Sequence, residues 1–132
     1  MDLKVDRLGR SELHYASNEG DFNKVKNLID NGVDVNLKDK EGWTPLHFAA
    51  QSQNHDIVLL LIEAGAEING CDSHGNTPLS NAVFNYTTDG SVIEILRKYG
   101  ADPYKSNSYG QTPVDLARLI ANYDVVKFFE DL

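Results

Sequence analysis

Gly42-Trp43-Thr44-Pro45-Leu46-His47-Phe48-Ala49-Ala50 is a phrase that this chain repeats. Thr44-Pro45-Leu46 returns 33 residues on as Thr77-Pro78-Leu79, and 35 further on as Thr112-Pro113-Val114. A degenerate copy, Ser11-Glu12-Leu13-His14, lies 33 residues earlier. A second phrase keeps step: Gly32-Val33-Asp34-Val35-Asn36 is echoed by Gly65-Ala66-Glu67-Ile68-Asn69 and by Gly100-Ala101-Asp102. Two independent phrases sharing one period point to stacked repeats, in which each unit buries its apolar face on its neighbours.

Each copy encodes a pair of helices. Thr44 is a helix N-cap, and Pro45 suits the first helical position, where its missing N–H costs nothing. Leu46, Ala49 and Ala50 give one apolar and one small face, and the alanines let neighbouring helices approach. Gln51 and Ser52 are expected to point away from them. Ile57, Val58, Leu60, Leu61 and Ile62 are too many for one stripe, so the return helix is expected to be buried between neighbours before ending at Ala64-Gly65. Residues 1–132 thus read as a single all-α solenoid: a capping extension over 1–8, repeats over 9–41, 42–74 and 75–109, and a truncated capping repeat over 110–132. The two extra residues of the third repeat must fall within 85–90, and the loop at 86–90 is either an added contact or a tolerated insertion, the second being preferred because two residues cost little in loop closure.

The match is to the ankyrin repeat: Gly-x-Thr-Pro-Leu-His-x-Ala-Ala followed by Ile-Val-x-x-Leu-Leu-x-x-Gly-Ala-x-x-Asn resembles residues 42–69 almost throughout, and the likeness runs over about 9–132. It implies antiparallel helix pairs stacked in an L, with hairpin loops along one edge and a concave face made by those loops and the first helices. It also implies a protein-binding module without catalysis, and histidines at 14 and 47 that tie hairpin to helix. The departures are Ser80 and Asp115 in place of the motif histidine, and Gln53 in place of a helix-ending glycine, which predicts a stiff or strained turn there.

Composition narrows the class. The 132 residues are 41% hydrophobic and 24% charged, which is ordinary for a globular domain. The longest aliphatic run, 57–62, is far short of the roughly 20 residues of a membrane span, and residues 1–10 lack a signal-peptide core. One cysteine, Cys71, provides no disulfide framework and fits a reducing, cytoplasmic setting. Of the net charge of −8, residues 41–96 carry −7: Glu41, Asp56, Glu63, Glu67, Asp72, Asp89 and Glu94, without a single Lys or Arg. Such a field repels nucleic acid and anionic lipid and attracts a basic partner; its bland alternative is a solubilising surface.

The residues do not spell a catalytic or metal site. No two of the four histidines have ligand spacing, none accompanies Cys71, and neither a phosphate loop nor a nucleophile elbow is present. The chain is therefore expected to be no enzyme, to need no metal or cofactor, and to be monomeric when free. Partner contacts are expected on the hairpin tips and first helices. Trp43 sits where Arg10, Asn76 and Gln111 stand in the other copies, so an aromatic is not required there: it is either packed on an adjacent hairpin or a partner anchor, the reading preferred, with Tyr109 a second anchor candidate. Gln51, Ser52, Phe84 and Asn85 are expected beside them, with Lys40, Glu41, His74, Asn76 and Gln111 at the hairpins. Phe48 reads equally as core or as part of this patch. Two functions follow: a binding protein, in its narrower form an inhibitor or immunity protein masking a basic toxin or nuclease, and alternatively a structural scaffold or assembly subunit without an inhibited target, one form of which self-associates through Leu59 and the outer faces.

Overall fold

The computed structural model of the protein describes residues 5–120 and 124–132. The helices are α1 (Glu12–Glu19), α2 (Phe22–Asp30), α3 (Pro45–Gln51), α4 (His55–Glu63), α5 (Pro78–Phe84), α6 (Ser91–Lys98) and α7 (Pro113–Leu119), followed by a 3-10 helix over Asp124–Phe129. Among the described residues there is no strand. Helices α1, α3, α5 and α7 stack side by side in one layer, while α2, α4 and α6 form a second. Every first helix starts as its sequence dictates. Thr44, Thr77 and Thr112 are extended caps whose hydroxyls accept from the backbone N–H three residues on, each with proline next in line.

Between helix pairs the chain makes one turn four times over. Asp39 Oδ1 accepts from the backbone N–H of Glu41 and Trp43, and Gly42 N–H donates to Asp39 O. Asp72 does the same for His74 and Asn76, Asn107 for Tyr109 and Gln111, and Asp6 for Leu8 and Arg10. Residues 6–10, of which 6–8 read from sequence as the capping extension, therefore form a full hairpin in phase with the others. Successive hairpins are joined edge to edge: Lys40, Ser73 and Ser108 each donate a backbone N–H, at 2.9 Å, to the carbonyls of Leu8, Glu41 and His74. Gly42 is required there, because it has a φ of 78° and an added Cβ would meet Ser73 N at 2.8 Å.

The buried histidines bind more than their own helix starts. His47 Nδ1 accepts from Thr44 N–H, so Nε2 carries the proton and donates to Asn76 O of the next hairpin at 3.0 Å. His14 repeats this with Ser11 N–H and Trp43 O. Burial pushes both imidazoles below the ordinary histidine range.

The core is one continuous cluster running through all repeats, with Leu13, Leu46 and Leu79 in the first layer and Val25, Ile57, Leu61, Ile93 and Leu96 in the second. Helix α4 is less enclosed than its composition implies: Ile57, Val58 and Leu61 are buried, whereas Leu59, Leu60 and Ile62 are only partly covered, because the outer layer has no third layer behind it. Gln53 has a φ of 58°, the left-handed conformation expected of glycine, and its Nε2 donates to Ala82 O of the next repeat at 3.0 Å.

The loop at 86–90 does more than its reading as a tolerated insertion implies. Tyr86 is buried and its ring meets Phe128 edge-on, while Gly90 lies so close under the Phe128 ring that an added Cβ would overlap it. Arg97 completes the dock, donating to Phe128 O at 2.7 Å and gripping Asp131 with both guanidinium nitrogens. The insertion is thus the seat of the C-terminal turn.

A candidate protein-binding groove

Hairpin tips and first helices meet at an angle, and the angle encloses a groove. A space of about 430 Å³ lies between α5, the 107–111 hairpin and the ends of the neighbouring helices. A second, of about 530 Å³, continues it toward repeat one, sharing Trp43, Gln51, Asn76 and Asn81. The register explains the lining. Counting from the cap residue of each repeat, the position before it holds Arg10, Trp43, Asn76 and Gln111. The fourth after it holds Tyr15, Phe48, Asn81 and Leu116, and the seventh Asn18, Gln51, Phe84 and Leu119. The fourth and seventh positions share one helix face, so one face of the first helices supplies much of the lining.

Most of the residues expected at a partner site fall here. Trp43, Gln51, Asn76, Phe84, Asn85 and Gln111, with Tyr109, line the first space, and Glu41 and His74 line the second. Lys40 and Ser52 line neither. Lys40 is spent on the hairpin ladder through its backbone, and Ser52 Oγ turns back to Ala49 O at 3.2 Å and Ser17 O at 3.4 Å. The expectation that Ser52 points away from the helix layer is corrected: its hydroxyl is held against it.

Trp43 also needs a correction. Its ring lies 4.9 Å from Phe48 and 5.7 Å from His47, centroid to centroid, so it is half-buried on its own helix rather than projecting free. Phe48 is 7% exposed, with the Arg10 guanidinium 5.0 Å above its ring and His14 against its edge. Arg10 is fixed by Asp39 at 3.1 Å, an ion pair whose carboxylate is almost wholly covered. Phe84 and Tyr109 stand out instead, at 70% and 79% exposed, with Tyr109 stacked at 6.4 Å on His74.

The sequence reading missed Asn81, Asn107, Leu116 and Arg10. For Arg10, Asn81 and Leu116 the signal lay in the repeat register, since each shares a column with a residue that was singled out, whereas Asn107 shares its column with the turn acceptors Asp39 and Asp72. Asn81 is nearly buried, its Nδ2 reaching His47 O at 3.5 Å and its carbonyl accepting from Asn85 Nδ2 at 2.8 Å. Asn107 Nδ2 donates to Asn76 Oδ1 at 2.9 Å, which ties two hairpins where repeat three has no motif histidine.

A profile of ankyrin repeats in three copies matches residues 13–107. The chain belongs to the ankyrin-repeat family. Ankyrin repeats generally mediate protein–protein interaction. No curated protein matches the chain. Among the described residues of this ankyrin domain, no helix is long and apolar enough to cross a membrane, and no three His, Cys, Asp or Glu side chains gather as a metal site.

Proposed function

We propose that this ankyrin chain is a non-enzymatic binding module that takes a partner protein into the groove of repeats two to four. The observation that carries the reading is the pair of exposed aromatic side chains, Phe84 and Tyr109, flanking a lining that also holds Trp43. Large rings left in water beside a concavity are what interface hot spots are made of. Truncating either ring is expected to weaken partner binding by about 2 kcal/mol and to leave thermal unfolding unchanged. Titration calorimetry on Phe84→Ala and Tyr109→Ala, with a partner captured by the wild-type chain, checks this. Unaltered affinity in both variants places the partner elsewhere. Trp43→Ala is a poorer probe, because it strips the cover from Phe48 and His47 as well.

A second reading, masking of a basic toxin or nuclease, rests on charge. Asp56, Glu63, Glu67, Asp89 and Glu94 are all exposed on the outer layer and its loops. A basic partner would be drawn in by their field and lose affinity steeply with added salt, whereas salt-insensitive binding counts against it. A scaffold assembled through Leu59 is less supported. Leu59 shares its surface depression with Asp56 and Glu63, so two copies meeting there bring like charges together. A monomer in sedimentation at high micromolar concentration is the expected result.

A further inference from the structure

The first of the two spaces is lined without a single Lys, Arg, His, Asp or Glu. Beside three aromatic rings and Leu116, its lining is six carboxamides and one serine. That neutrality stands out in a chain whose residues 41–96 carry seven carboxylates, since none of the seven faces this space. Much of the carboxamide capacity is unspent. The side chains of Gln51 and Gln111 make no hydrogen bond among the described residues, and Asn76 Nδ2, Asn81 Oδ1 and Asn85 Oδ1 are likewise without partners.

We propose, building on the reading of this groove as the partner site, that it takes an extended, uncharged polypeptide segment and reads its main chain. A carboxamide offers one acceptor and two donors, the same groups that a peptide bond presents. An extended strand leaves its N–H and C=O groups free, at 3.2–3.4 Å of rise per residue, whereas a helix has already paired them internally and would cover the carboxamides with nothing to bond. Covering unpaired amides is costly, which selects the extended chain. Charge selects in the same way: a Lys, Arg, Asp or Glu entering this space loses water and finds no counter-ion. Trp43, Phe84, Tyr109 and Leu116 then receive one or two apolar side chains of the segment. Acidic residues outside the groove affect the rate of approach of a charged protein but not what the groove holds.

The test uses the whole chain and three sets of fluorescein-labelled ten-residue peptides. All alternate Leu, Phe or Tyr with Ser, Thr or Gln; one set is uncharged, one has four positions changed to Lys or Arg, and one has four changed to Asp or Glu. Anisotropy at 50 and 500 mM NaCl is expected to find the tightest binders in the uncharged set, with Kd changing less than twofold across the salt range. Methylating alternate backbone nitrogens of the best peptide is expected to weaken it at least tenfold. Gln51→Leu with Gln111→Leu, whose side chains make no hydrogen bond among the described residues, is expected to do so at least fivefold with unchanged circular dichroism. Binding confined to Lys- and Arg-rich peptides, with a tenfold or greater loss at high salt, overturns the inference. If Phe84→Ala and Tyr109→Ala still abolish that binding, the groove remains the partner site. Binding of uncharged peptides indifferent to those two variants overturns both readings. So does no binding by any set at 1 mM overturn the inference, as does tighter groove-dependent binding of a neutral oligosaccharide such as cellohexaose.

Discussion

At the scale of single residues, the structure redistributes roles within the phrase at 42–50. His47 proves to be a joint between repeats, neutral by burial, with its one proton committed to Asn76 O. Protonation places a charge where solvent does not reach and puts a second proton on the nitrogen that Thr44 N–H already occupies. The folded pKa lies below the unfolded value of 6.5, so the unfolded chain binds more protons in the interval between them. Stability is therefore full above about pH 6.5 and falls as pH drops from there through the lowered folded value, with His14 adding to the same slope. Urea denaturation at pH 7.5 and 5 is expected to show the loss, and His47→Gln to reduce the difference while lowering stability at pH 7.5. Gln53 is the other residue with two duties. Gln53→Ala keeps the unfavourable φ of 58° and removes the bond to Ala82 O, so it is expected to cost about 1 kcal/mol in the same assay.

Elements are stabilised here by what lies across the repeat boundary. The seven-residue α3, α5 and α7 are too short to hold alone, and each depends on its cap, its proline and the small residues that seat it on its neighbour. Leu46 is completely buried at the centre of that layer, and Leu46→Ala is expected to cost about 2–5 kcal/mol without addressing function. The C-terminal 3-10 helix shows the dependence in another form. Its Phe128 is seated on Gly90, where a side chain has no room, so Gly90→Ala is expected to destabilise by about 1–3 kcal/mol. Faster amide exchange over 124–129, with protection of α3 retained, would show the turn released while the stack persists. Salt bridges contribute less: Arg97 holds the Asp131 carboxyl below its ordinary range, but that carboxylate is in water.

Over the whole molecule, charge and contact chemistry are separated. Carboxylates cover the outer layer of repeats two and three, whereas the first space of the groove is neutral and rich in carboxamides and rings, and Arg10, Glu41 and Asp72 line only the second. The net excess of acid was visible in the sequence, but its separation from that first space was not, because charge along a chain says nothing about which layer carries it. Fold class, period, helix starts and the helix-ending turns were legible, because each rests on local rules: a cap within three residues, a proline at the first helical position, a glycine where φ is positive. Phe84 and Tyr109 were legible as aromatic residues on the first-helix surface and at the last hairpin tip. Asn81 and Leu116 went unread because their importance comes from sharing a column with Phe48 across stacked helices, a proximity of residues more than 30 apart in sequence. For the same reason only the tertiary structure decided that Trp43 leans on Phe48, that Ser52 is held inward, and that the two-residue insertion seats the C-terminal turn. Sequence by itself determined the repeating unit, whose conformations are local. Stacking decided which side chains are left for a partner, since that depends on what the neighbouring repeat covers.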